Sequence, residues 1–164
     1  MLDVRTEKGK RAEMLARQAI LKLQKPGQTF AWYPESNYYP VDGFIVQGND
    51  ITALFECKAR EMSYSDGKLT YKGRAYDSII LSESKIINGV KMAKEMCLDF
   101  YLVAYMVLSN HCLIFKLYDH RQGKVIDYEA KIISTQATVN GGEATRSNAF
   151  LKVCNGTVRL VENL

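Results

Sequence analysis

Residues 38–60 read YYPVDGFIVQGNDITALFECKAR, and the two strand-like halves of this apolar run carry Asp42, Glu56 and Lys58. Strands are expected over about 42–47 and 51–58, joined by Gly48-Asn49-Asp50, residue types that tolerate a positive φ. Phe44, Ile45, Val46, Leu54 and Phe55 make both faces of the hairpin apolar, as in a central strand, where charges are seldom found without a role. With a three-residue loop, Gln47 faces Ile51 and Asp42 faces Glu56, so two carboxylates stand on one face with Cβ atoms about 5 Å apart. Lys58, two residues beyond Glu56, joins them. A two-residue loop instead shifts the register by one and sends Asp42 to the other face.

Like charges side by side cost stability unless a positive group sits between them. A divalent cation answers that need, and oxygen ligands with no histidine nearby select magnesium, manganese or calcium over zinc. The plainer account is a surface charge pattern on an edge strand.

Upstream, Ala12, Leu15, Ala16, Ala19, Ile20 and Leu23 recur at helical spacing, which predicts an amphipathic helix from about Thr6 to Leu23, ended by Pro26 and Gly27. Glu13 borders its apolar stripe. It either pairs with Arg17 one turn later or turns toward a site. Downstream, SYSDGKLTYKGRAY (63–76) has a tight turn at Asp66-Gly67 and mixes Tyr64, Tyr71 and Tyr76 with Lys68, Lys72 and Arg74. That mixture suits stacking on bases and holding phosphates, and equally suits a solvated hairpin.

A second helix is expected from about Ser78 to Met96, with the stripe Ile79, Ile86, Val90, Ala93 and Cys97, leaving Ser82, Lys85 and Lys91 on its polar sides. Strands are expected in 99–108, 111–119 and 125–133, and a loop in 138–149, whose Arg146, with Lys131 and Lys152, extends a basic surface or serves solubility.

The 164 residues, 47% hydrophobic and 24% charged, fit one domain spanning 1–164, and the formal charge of +4 permits a polyanionic partner without requiring one. The opening MLDVRTEKGKRAE is charged where a signal peptide is apolar, and no run is long enough for a membrane span, so a cytoplasmic location is expected. Cys57, Cys97, Cys112 and Cys154 are too far apart for a zinc or iron–sulfur motif and are expected to be reduced core residues. His111 and His120 have no partner spacing. There is no P-loop, Rossmann fingerprint, nucleophilic triad or internal repeat.

A helix with an edge glutamate, then a hairpin bearing Pro40-Val41-Asp42 and Glu56-Cys57-Lys58, then a helix and further strands resembles the PD-(D/E)XK nuclease superfamily. The segment KGKRAEMLARQAI around Glu13 is similar to the first helix of that superfamily's Holliday junction resolvases. The resemblance covers about the first 60 residues, with 78–108 consistent with the rest of the core. It implies an α/β (α+β) fold with a restriction-endonuclease-like αβββαβ core, a central mixed sheet flanked by helices, and extra C-terminal strands. It also implies a nuclease that hydrolyses DNA, branched or duplex, with Mg2+ or Mn2+, and a homodimer where the substrate is a junction.

By the same resemblance Asp42 and Glu56 hold the metal, supported by Glu13 and the Cys57 carbonyl, while Lys58 orients or deprotonates the attacking water. Lys68, Lys72, Arg74 and Lys85 then contact the DNA backbone. A non-catalytic nucleic-acid-binding protein of the same fold, an exonuclease and an RNA-directed nuclease are the competing readings.

Overall fold

The computed structural model describes residues 7–34, 38–137 and 143–161. Helix α1 spans Glu7–Leu23 and buries Ala16, Ala19, Ile20 and Leu23, the stripe its spacing predicts. Strand β1 (Gln28–Trp32) pairs antiparallel with β2 (Gly43–Gln47), which pairs antiparallel with β3 (Asp50–Arg60). Sequence reasoning did not single out β1. Its QTFAW has no alternation of buried and exposed positions, the signal that would mark a strand.

The β2–β3 hairpin departs from both simple registers. Gln47 pairs with Asp50 and Val46 with Ile51, which makes Gly48-Asn49 a two-residue turn. Thr52 then stands out of the ladder as a bulge, its hydroxyl donating to the Ile45 carbonyl at 3.3 Å. Beyond it Ile45 pairs with Ala53 and Gly43 with Phe55, the register that a three-residue loop would have produced. The ladder ends at Gly43, so Asp42 is not a regular partner of Glu56. Its N–H instead donates to the Phe55 carbonyl at 3.0 Å and its own carbonyl accepts from Tyr33 N–H at 2.9 Å.

Strands β4 (Ser63–Ser65), β5 (Lys68–Tyr71) and β6 (Arg74–Tyr76) form a small antiparallel sheet. Its two turns, Asp66-Gly67 (φ 47 and 80) and Lys72-Gly73 (φ 48 and 76), take positive φ at both central residues, which matches the twist of a hairpin.

The next segment corrects an expectation. Ser78–Ser82 is strand β7, and helix α2 begins only at Glu83 and runs to Met96. In β7, Ile79 and Leu81 are buried and Ile80 is exposed, a period of two. Because Ile79 and Ile86 lie seven residues apart, the strand blends into the stripe of the helix that follows. Strands β8 (Asp99–Met106) and β9 (His111–Asp119) lie where expected, followed by β10 (Lys124–Val125) and β11 (Glu129–Ala137).

Strand β12 (Glu143–Lys152) occupies much of what reads as a loop, while 138–142 lie outside the described residues. It pairs with both β11 and β7, so tertiary pairing overrides a locally polar, turn-like composition. Strand β13 (Thr157–Leu160) closes the described chain against β9.

The central sheet has the order β1-β2-β3-β8-β9-β10, with β13 also on β9, and is mixed, because β3 and β8 run parallel. The α1 residues Ala16, Ala19 and Ile20 pack with Ile45, Ala53, Phe55 and Val103 on one face. On the other, Ile86 and Val90 of α2 join Leu54, Leu102 and the β7 and β12 residues Leu81 and Leu151. The architecture is α+β, with a mixed central sheet and, among the described residues, two α-helices. No helix among the described residues is long and apolar enough to cross a membrane. All four cysteines are free, but only Cys112 is buried, and Cys97 and Cys154 are exposed. Cys97 holds the left-handed residue that ends α2 (φ 58), which places it at the surface.

Candidate functional site

Strand β3 is central, so alternate side chains enter opposite layers. Phe55 enters the α1 layer and Leu54 the α2 layer. Glu56 therefore points into the α2 layer, where it is the buried charged residue of the described core, 1% exposed. Neither of its carboxylate oxygens has a hydrogen-bond partner. Two ammonium groups answer its charge from the cleft side. Lys58 Nζ lies 3.3 Å and Lys85 Nζ 3.6 Å from Oε1. Burial first, then the charge of Asp42, pushes the Glu56 carboxyl up from its ordinary value, and the lysines pull it back.

Asp42 is fixed where β2 ends. One step past the last ladder pair, the Cys57 amide takes the Asp42 carboxylate in place of a strand carbonyl, donating to Oδ2 at 2.8 Å. This bond and the two backbone bonds of Asp42 hold its side chain beside Glu56 on the open end of the sheet. Burial, with Asp42 next, pushes the Cys57 thiol well above its usual value, so the sulfur stays neutral and does not offer a thiolate ligand.

Glu13 approaches from α1. Its Oε1 pairs with Arg17 at 3.2 Å, and the Arg17 guanidinium in turn lies over the Trp32 ring, 4.4 Å from its centroid. Trp32 meets Phe55 edge-on at 4.9 Å. Glu13 makes the i,i+4 pair, and it lines the same cleft as Asp42, Glu56, Lys58 and Lys85, a cavity of about 330 Å³.

Sequence reasoning assigned Lys85 to the DNA backbone; it stands within the cleft, because the turn of α2 after β7 points it at Glu56. Trp32 and Arg60, which also line the cleft, were missed. The basic character of Arg60 two residues after Lys58 was the available signal. Lys68, Lys72 and Arg74 lie on the β4–β6 sheet, exposed and away from the cleft lining.

The donor set fits a hard divalent cation of the magnesium kind. The Glu56 carboxylate, whose oxygens accept no hydrogen bond and whose Oε1 meets two lysines, and the remaining oxygen of Asp42 would be its oxygen ligands in this cleft. No group of three or more His, Cys, Asp or Glu residues is gathered closely enough for a metal among the described residues. Magnesium is commonly held by one or two carboxylates with waters and phosphate oxygens completing its shell, so Glu56 and Asp42 alone would have to supply the protein ligands. Compared with known proteins, the chain matches no family model, no curated protein and no solved structure.

Proposed function

We propose that the chain is a metal-dependent nuclease of the PD-(D/E)XK kind, hydrolysing DNA phosphodiester bonds as a structure-selective endonuclease similar to Holliday junction resolvases. The observation that carries this reading is the buried Glu56 carboxylate, without hydrogen bonds, beside Asp42 and two lysines in one cleft with Glu13. A purely structural acid at the centre of a sheet would be expected to have both oxygens hydrogen-bonded, whereas here two partly exposed lysines meet Oε1 alone. The order α1, β1-β2-β3, then α2 and β8 after the intervening strands β4–β7, with β8 parallel to β3, is compatible with the αβββαβ order of that superfamily carrying an insertion before α2.

Asp42 and Glu56 would hold Mg2+ or Mn2+, which supplies a nucleophilic water at neutral pH and charge stabilisation on the phosphorane. Asp42 is pre-aimed by the Cys57 amide, so little reorganisation is needed to present its free oxygen. Lys58 and Lys85, drawn to Glu56, also face the cleft, where they orient water and hold a phosphate oxygen. Glu13 acts at one remove, its carboxylate steadied by Arg17 on Trp32. Tyr71 and Tyr76 border a neighbouring groove that shares Arg60 with the cleft, a surface on which bases can stack.

The test is incubation of wild type and Glu56→Ala with labelled four-way junction, flap, linear duplex and single strands, in magnesium, manganese or EDTA. Cutting is expected only with metal, and the variant should lose about a thousandfold. Wild-type rates in the variant, or no cutting of any substrate by the wild type, would overturn the reading.

A further inference from the structure

Beside the cleft lies a second, larger cavity of about 580 Å³, and the two share Lys58, Arg60 and Lys85. Its remaining wall comes from β7, the start of α2 and β12, including Ser82, Arg146 and Asn148. Four lining side chains are cationic and none is acidic. Lys58 and Lys85 lean toward Glu56, but Arg60 and Arg146 have no carboxylate partner among the described residues.

Among the described residues the Arg60 guanidinium bonds only backbone carbonyls, of Ala59 and Ile80, each at 3.2 Å. Burial lowers its pKa, the mark of a partly desolvated cation without a counter-charge. Arg146 is exposed on β12, across the ladder from Ile133 at the cavity wall. Ser82, at the start of α2, makes no side-chain capping bond, and its hydroxyl shares a 3.0 Å hydrogen bond with Ser84. Two guanidinium groups, two ammonium groups, hydroxyls and an amide form a donor-rich bowl. A phosphate, with its several acceptor oxygens and negative charge, matches that set better than a neutral ligand.

We propose that this second cavity binds a phosphate of the nucleic-acid strand next to the one held at the carboxylates, with Arg60 and Arg146 as its main ligands. The inference rests on the nuclease reading for the identity of the strand. The phosphate is either an internal diester or a terminal monoester, two sources of one chemistry.

The experiment measures fluorescence anisotropy of labelled single strands bearing 5′-phosphate, 3′-phosphate or hydroxyl ends, with the full chain in EDTA, where binding is read without cutting. Arg146→Ala should weaken binding about tenfold, the value of one charge-assisted contact, and lower the salt slope by roughly 0.7. Asn148→Ala should weaken it in the same direction by less. A loss confined to one phosphorylated end identifies a terminal monoester, and an equal loss on all strands an internal phosphate.

Unchanged affinity and salt slope in both variants would overturn the inference. If metal-dependent cutting persists in that case, the nuclease reading stands and the pocket alone falls. Weakened binding with no cutting by the wild type in any metal keeps the pocket and removes the nuclease.

Discussion

The β2–β3 hairpin and the β4–β5–β6 meander are both antiparallel and both turn on glycine, yet they obey local rules to different degrees. The meander follows them. Its turns pair Asp or Lys with Gly at positive φ, its ladders run without a shift, and its cations Lys68, Lys72 and Arg74 face solvent. The β2–β3 hairpin breaks them with a bulge at Thr52, a glycine pressed against backbone and a buried acid. Where local rules fail together at one place, a demand other than folding is the economical explanation.

The contrast is sharpest in the glycines. A Cβ on Gly43 would lie 2.1 Å from the Ala31 carbonyl oxygen and 2.8 Å from the Phe55 ring, so β1 and β2 would have to part. Gly43→Ala should cost about 3 kcal/mol. At Gly67, φ is +80 and nothing lies within 4 Å, so Gly67→Ala meets only backbone strain, about 1–2 kcal/mol. Urea unfolding midpoints of the two variants test this. Equal losses would mean that the hairpins are packed alike and the contrast is unfounded.

Glu56 supplies the next test. Its carboxylate is 1% exposed, whereas Lys58 and Lys85 are 31% and 40% exposed and can turn their charge to water. Removing the acid therefore relieves more than it orphans. Glu56→Gln should raise stability by about 1 kcal/mol at neutral pH, roughly 3 °C in Tm, while losing cleavage.

The pH dependence has a definite sign. Because the folded carboxyl titrates above its ordinary value, the folded protein keeps a proton there that the unfolded chain has already released. The contribution of Glu56 is most favourable below that value and declines as pH rises through the raised folded pKa. The difference between wild type and Glu56→Gln should therefore widen across that window and then level off. A difference independent of pH would show that Glu56 is not a strained buried acid.

These residues also show what the sequence could and could not reveal. Asp42, Glu56 and Lys58 were legible because charges inside an apolar, period-two run stand out, and Glu13 because it borders a helical stripe. The bulge was not legible, since a two-residue turn plus one looped-out residue reaches the same downstream register as a three-residue loop. Strand β12 was hidden because its ladder partners, β7 and β11, are distant or across a polar connection, and pairing of that kind leaves no local trace. Lys85 was legible as a cation on α2, but its approach to Glu56 was not, because the expected helix began five residues early and blurred where α2 meets β3.

The smallest effect is expected at the meander. Lys72 lies over the Tyr71 ring, 5.3 Å from its centroid, and Arg74 is exposed on the adjoining strand. If the meander only gathers the strand electrostatically, Lys72→Ala and Arg74→Ala should each weaken DNA binding about threefold at low salt, leave the cleavage rate of bound substrate unchanged, and lose their effect as salt rises. Single-turnover cleavage alongside binding titrations separates the two quantities. A fall in the rate of the bound complex would place the meander at the reacting strand, and the division between a hairpin that reacts and a hairpin that collects would have to be abandoned.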